Sequence, residues 1–280
     1  MEFRETRGTA VASLIICACL WSSAGILIKL VSWDPFAIAG MRSLVGFLTM
    51  LVFIRKPKFT FSLNQVMAAL GYSATMILFV FANKLTTSAN AVLLQYTEPV
   101  FIVLLGRYLL RDEKTTPLDW LAIAGVLAGM VLFFLDDLSF DGNLGNLLAI
   151  LSGVSFALTA IFMRRQKKEQ PAESFMLAHL ITFAISIPFM FLAGPPSATS
   201  MTGLVLLGVF QMGIPSILYS RGVAGVTAIS TALITMLEPV LNPVWVALFL
   251  KEYPSPRALS GGLVILFFVT LRTVLKARKI

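Results

Sequence analysis

The chain has 280 residues, 58% of them hydrophobic and 13% charged, with a mean hydropathy of +0.87. Soluble domains are about 45–50% apolar and about 25% charged, so this composition excludes a water-soluble globular protein, a disordered chain and a secreted disulfide scaffold. The net charge of +8 would point to nucleic acid in a soluble protein, but in a membrane protein cationic loops on one face account for it.

Ten apolar stretches follow in chain order, each near the roughly 20 residues that a spanning helix needs. The first five are predicted at 9–31, 35–54, 64–84, 87–110 and 117–135. The next five are predicted at 143–164, 171–193, 201–221, 227–250 and 256–275. Asp34-Pro35, Thr116-Pro117, Gln170-Pro171 and Ser255-Pro256 each set a proline at a helix start, where its missing N–H costs little. Lys56-Pro57-Lys58 follows the second span, and Gly194-Pro195-Pro196 closes the seventh. Cys17 and Cys19 lie two residues apart in the first span and do not face each other, so they read as two buried small residues. The first span is too long for a signal-peptide core.

Of the 22 Lys and Arg residues, Lys29, Arg42, Lys84, Lys251 and Arg257 stand apart; the others cluster at one set of loop ends together with both termini. The positive-inside rule then predicts an inner-membrane protein with cytoplasmic termini, which an even span count allows. The loop carrying Asp136, Asp137 and Asp141 falls outside.

An internal repeat organises the chain. Tyr96-Thr97-Glu98-Pro99-Val100 in span four matches Met236-Leu237-Glu238-Pro239-Val240 in span nine, half a chain later. An acidic residue follows each block, Glu113 and Glu252, and then a glycine-bearing span, with Gly125 and Gly129 in one and Gly261 and Gly262 in the other. The units 1–140 and 141–280 therefore hold five spans each. Five is odd, so the second unit enters the membrane from the opposite side. The predicted fold is an all-α polytopic membrane protein with a 5+5 inverted-topology repeat, an arrangement that places transport sites near the midplane between the repeats.

Trp21-Ser22 with Lys29, Arg42, and the two Glu-Pro-Val blocks with their trailing glutamates resemble the drug/metabolite transporter superfamily, EamA type. The resemblance covers nearly the whole chain as two EamA-like units. It implies a ten-helix carrier, usually in the plasma membrane, that exports amino acids, amines or other small metabolites. Phe156 stands where the first unit has Trp21, and Ala178-His179 where it has Arg42, so the two halves are not equivalent.

The residues themselves suggest where a site would lie. Glu98 and Glu238 sit about 11 residues into their spans, hence about 16 Å deep in a core about 30 Å thick. Each is either a proton-coupling or cation-binding carboxylate or a structural one bonded to a neighbouring helix. Pro99 and Pro239 free the carbonyls of Gln95 and Thr235, and Pro243 frees that of Pro239. Such carbonyls need a partner or a water-lined cavity, which makes spans four and nine candidate cavity walls. By depth, Arg42 is expected to reach Glu98, as a permanent brace or as an anchor for a substrate carboxylate. His179, the sole histidine, is either a proton relay or a hydrogen-bonded polar group between helices. Trp21, read as mid-helix, is a candidate for stacking on aromatic or cationic solutes. Tyr96, Gln211, Tyr219 and Asn242 are further cavity candidates. Lys29 and Lys84 are expected to snorkel, and Gly125-x-x-x-Gly129 to pack helices within the chain or in a dimer.

The resulting expectation is a secondary transporter of small organic metabolites such as amino acids or amines, an exporter using alternating access, with protons as the candidate coupling ion. An uptake carrier or uniporter for a cationic or zwitterionic solute is the alternative. A channel is more remote, since ten helices with two-fold pseudo-symmetry fit a pore-lining ring or filter loop poorly, and so is an intramembrane enzyme, since no H-E-x-x-H and no G-x-S-x-G is present. No ATP loop, cofactor, metal ligand set or nucleic-acid partner is implied. The bilayer is the expected surrounding, and the chain is expected as a monomer or a homodimer.

Overall fold

The computed structural model describes residues 6–23, 27, 31–110, 112–138, 141–166, 171–251 and 255–277. Lys29, Gln170 and Glu252, singled out above, lie outside the described residues, as does the side chain of Pro243. The helices are α1 Arg7–Trp21, α2 Pro35–Ile54, α3 Leu63–Leu85, α4 Ser88–Gln95, α5 Glu98–Leu109 and α6 Pro117–Phe134. They continue as α7 Asn143–Arg165, α8 Pro171–Ala193, α9 Ala198–Leu206, a π-helical turn Leu207–Gly213, and α10 Ile214–Gly225. The last three are α11 Ala228–Thr235, α12 Leu237–Leu250 and α13 Pro256–Ala277. Among the described residues, eight helical stretches are long and apolar enough to cross a membrane, and the shorter apolar helices Arg7–Trp21 and Ala228–Asn242 fall in the two remaining predicted spans.

Local chemistry sets the helix starts. Asp34 caps α2 by accepting from the Phe36 and Ala37 amides, with Pro35 behind it. Thr116 and Asp119 form a capping box at α6. Spans four and nine each break at the predicted motif, α4 from α5 at Tyr96-Thr97 and α11 from α12 at Met236. The proline removes one amide and crowds the preceding turn. At the first break the Thr97 hydroxyl donates to the Leu94 carbonyl at 2.6 Å. The Gln95 carbonyl faces Gly153 of α7, where a Cβ would come within 2.6 Å of it. At the second, the Thr235 hydroxyl turns back onto the carbonyls of Thr231 and Ala232.

The main helix contacts join the two halves. α3 packs on α7, α1 on α10, α2 on α8, and α6 on α13. The first two pairings exchange under the repeat, and the last two map onto themselves, as a pseudo-two-fold axis running between α2/α8 and α6/α13 requires. Gly129 and Gly261 make the last crossing close: a Cβ on Gly261 would lie 2.6 Å from the Gly129 carbonyl oxygen and 2.5 Å from the Phe133 amide nitrogen. The Gly125 face is covered by Phe268, so the small-residue stripe is used inside the chain.

The two ends of the bundle differ. α1 begins where α13 ends, the Arg7 guanidinium donating to the Lys276 carbonyl at 2.9 Å; this is the terminal side, and the loop residues Asp136 and Asp137 that follow α6 mark the other, the loop side. The terminal side is tied by ionic contacts. Arg164 binds Glu113 at 2.6 Å and the Ala224 carbonyl at 2.6 Å, while Glu113 accepts from the Ala228 amide at 2.9 Å. Asp119 accepts from Arg272 and Lys276, at 2.7 and 2.8 Å. The loop side carries Asp136–Arg257 and Lys84–Asp34 at 3.8 Å, both partly exposed. Lys84 stays beside Asp34 and over the Phe36 ring, 4.8 Å from its centroid. Cys17 is buried as expected, whereas Cys19 is half-buried.

Candidate functional site

A cavity of about 680 Å³ opens between the halves, within the size range of small-molecule sites. Thr87, Ser88 and Asp137 line one end, all three exposed on the loop side. The remaining lining comes from the middle and loop-side parts of the spans, so the cavity communicates with the loop side. The ion pairs around Glu113 and Asp119 lie at the opposite end of the bundle.

Both halves supply polar groups. Tyr96, at the break between α4 and α5, donates its hydroxyl to Glu238 Oε2 at 2.7 Å. Arg42 of α2 directs Nη1 at Gln211 Oε1, 3.4 Å away, while its Nε has no partner. Gln211 sits in the π-helical turn, which inserts an extra residue per turn and is a frequent mark of functional sites. Arg42 and Glu238 line the same cavity without forming an ion pair. Asn242 and Pro239 continue the α12 wall one turn on, and the Gln95 side chain completes the α4 wall, its Oε1 unpartnered.

Aromatic rings form the apolar wall. Trp21 lies 6.1 Å from the Phe156 centroid and 5.5 Å from that of Tyr219. Trp21 is the last residue of α1, not mid-helix as expected. Along α3, Tyr72, Thr75, Met76 and Phe79 present a continuous face to the cavity, and Phe133 and Phe134 stand near its mouth. Sequence reasoning passed over these residues. Their i, i+3, i+4, i+7 spacing with Tyr and Thr on one face was the available signal.

Of the expected site residues, Trp21, Arg42, Gln95, Tyr96, Gln211, Glu238, Pro239 and Asn242 meet around this cavity. Tyr219 stands behind Trp21, fully buried and with its hydroxyl unpartnered. His179 is buried against Ser216, 3.1 Å from Nε2, and does not reach the cavity. Thr235 is spent on its own helix. The expected Arg42–Glu98 contact is absent. Glu98 is fully buried with both carboxyl oxygens unpartnered, and Pro99 is buried beside it. Depth alone suggested that contact, but the break at Tyr96-Thr97 sets Glu98 in α5, outside the cavity wall to which Arg42 belongs. Among the described residues no group of three or more His, Cys, Asp or Glu side chains is placed to hold a metal ion.

The EamA-like transporter family matches residues 8–135 and again 143–273, and the chain belongs to that family. It is 23% identical over 258 residues to an "Uncharacterized transporter" of Archaeoglobus fulgidus, covering 91% of this chain and 93% of that protein. It is 28% identical over 283 residues to the "Uncharacterized transporter YdfC" of Bacillus subtilis, covering 93% of this chain and 89% of the relative. One crystal structure shares the fold with a TM-score of 0.84 at 20% identity, over 96% of this chain and 99% of the other.

Proposed function

We propose that this multi-pass membrane transporter is a secondary carrier for small zwitterionic organic solutes of the amino-acid class, exporting them by alternating access between the units 1–140 and 141–280. The observation that carries the reading is the pair of opposed charges in one aromatic-lined cavity: Glu238 with Tyr96, and Arg42 with Gln211. A solute bearing an ammonium and a carboxylate can bridge the two without leaving either charge unmatched. The carboxylate binds Arg42 through strong charge-assisted hydrogen bonds. The ammonium binds Glu238 and the faces of neighbouring rings. An apolar side chain fills the space lined by Trp21, Tyr72, Phe79 and Phe156.

A purely cationic amine is the second reading, favoured by Glu238 and the aromatic wall and opposed by Arg42. We place the termini in the cytoplasm of the cell membrane, because Lys and Arg cluster on that side; the cavity then faces outward. Protons are the proposed coupling ion. The test is flux in liposomes with amino acids, polyamines and quaternary amines, with and without an imposed pH gradient. Zwitterions are expected to move and the gradient to change their steady-state accumulation. Movement of quaternary amines alone would overturn the zwitterion reading, and accumulation indifferent to the gradient would overturn proton coupling.

A further inference from the structure

The two motif glutamates are in opposite situations although the repeat makes them equivalent. Glu238 borders the open cavity and accepts from Tyr96. Glu98 is 0% exposed, and neither carboxyl oxygen has a partner. The contrast extends along both helices. Asn242, one turn beyond Glu238, lines the cavity, while its counterpart Ile102, one turn beyond Glu98, is 2% exposed and packed in the apolar core. The second unit is thus seen with its broken span open, and the first with its broken span closed.

We propose that Glu98 is a protonation latch on the terminal-side gate: sealed as the neutral acid in this state, exposed to the terminal side in the opposite state, and unable to be sealed again until it regains a proton from that side. The inference rests on the alternating-access part of the proposed function. In an inverted repeat the two facing states arise when the halves exchange conformations. That exchange opens the Glu98 wall to the terminal side and closes the Glu238 wall. Sealing an ionised carboxylate that has no donor is prohibitive, so closure selects the protonated form.

Among the described residues, the surroundings of Glu98 offer no cation to replace that proton. α5 packs on α7 and α11. α11 has no titratable side chain, and α7 has only Arg164 and Arg165 at its end, of which Arg164 is engaged by Glu113. On α5 itself the titratable side chains besides Glu98 are Arg107 and Tyr108, more than two turns away, and the nearby Tyr96 hydroxyl is given to Glu238. The latch is also one-sided. Glu98 releases and regains its proton on the terminal side, so it governs closure and carries no proton across.

The test uses the full chain in liposomes with Cys17 and Cys19 replaced by alanine, a membrane-impermeant thiol reagent applied from each side, and Ile102→Cys and Asn242→Cys as matched reporters. Asn242→Cys is expected to react from the loop side. Ile102→Cys is expected to react from the terminal side, faster as the pH there rises from about 6 to about 8, by up to about tenfold per unit for one proton. Rates are referred to Leu63→Cys, an exposed position on the terminal side, to remove the reagent's own pH dependence. Adding Glu98→Gln should abolish the pH dependence and leave the labelling. If Ile102→Cys is inert from the terminal side while Asn242→Cys reacts, or if its pH dependence survives Glu98→Gln, the latch is overturned and the cavity reading stands. If Asn242→Cys is itself inert from both sides, the cavity reading falls and the latch with it.

Discussion

Replacing Asp119 with alanine removes the carboxylate that two cations bind at once. Arg272 reaches Oδ1 through Nε at 2.8 Å, and Lys276 reaches Oδ2 at 2.8 Å. The Thr116 amide and hydroxyl each donate to Oδ2 at 2.7 Å. Arg272 is 1% exposed and its Nη1 also donates to Ser230 Oγ, so one guanidinium joins α13, α6 and α11. Without Asp119 it becomes a buried charge lacking its counter-ion, at a cost of about 3–5 kcal/mol. Loss of the α6 cap adds about 1 kcal/mol. Arg272→Met is expected to cost less, about 1–3 kcal/mol, because Asp119 keeps Lys276 and Thr116 and the methionine refills much of the stem volume. At about 2–4 °C per kcal/mol for chains of this size, Asp119→Ala should lower the melting temperature by on the order of 10 °C or more, and Arg272→Met by several degrees. Monodisperse protein remaining in detergent after a temperature series reads both. Equal, small shifts for the two variants would refute the reasoning, because they would mean that water already reaches the cluster.

The remaining predictions divide between the site and the frame. Arg42→Met should weaken binding of a zwitterionic solute by roughly 10–150-fold, the loss of a charge-assisted bond of about 1.5–3 kcal/mol, with no fall in melting temperature; solute-dependent thermal shift measures both. Gly261→Leu should force α6 and α13 apart, cost more than Gly261→Ala, and show as aggregated protein on size exclusion. His179→Ala should cost about 1 kcal/mol for its bond to Ser216 yet leave flux intact, since the ring does not reach the cavity. Asp136→Asn should leave the melting temperature unchanged. The Asp136 carboxyl is held below its ordinary range by hydrogen bonds from Arg257 and Ser255. Any help from that pair is therefore present at neutral pH and lost only as the pH falls through the lowered value.

Helix bounds were largely legible because punctuation in this chain is strong. The spans opening at Pro35 and Pro171 run over 35–54 and 171–193, as their prolines and apolar lengths predict. The breaks at the two Glu-Pro blocks were legible for the same reason. What a helix faces was not. In a lipid-exposed chain hydropathy does not distinguish a wall that meets lipid from one that meets another helix, and depth alone wrongly joined Arg42 to Glu98. Arg272 illustrates the same gap. Counted with the other cations it reads as an orientation signal, yet it is the largest fully buried side chain among the described residues. The π-helical turn that sets Gln211 beside Arg42 has no sequence mark beyond two glycines, Gly208 and Gly213, pressed against Val45 and Thr49 of α2.

The halves of this transporter share a frame but not a site. Tyr96 holds Glu238, whereas Met236 stands at the equivalent place in the second unit, fully buried and with no hydroxyl to offer Glu98. Arg42 has Ala178 as its counterpart and Trp21 has Phe156. The proposed exchange of conformations between the halves would therefore not reproduce the same cavity facing the other way. On the proposed reading, the charge pair that grips a zwitterion exists while the cavity faces the loop side and is taken apart as Glu238 is sealed. The opposite cavity offers Glu98 without a phenolic donor and without a second arginine. On the same reading, pseudo-symmetry of packing, seen in the matched helix pairs, lets the two proposed states interconvert, and loss of symmetry among the polar groups makes their affinities differ. On that reading, changing α3–α7 or α1–α10 contacts disturbs both states together, whereas changing Tyr96, Arg42 or Gln211 alters the grip of one.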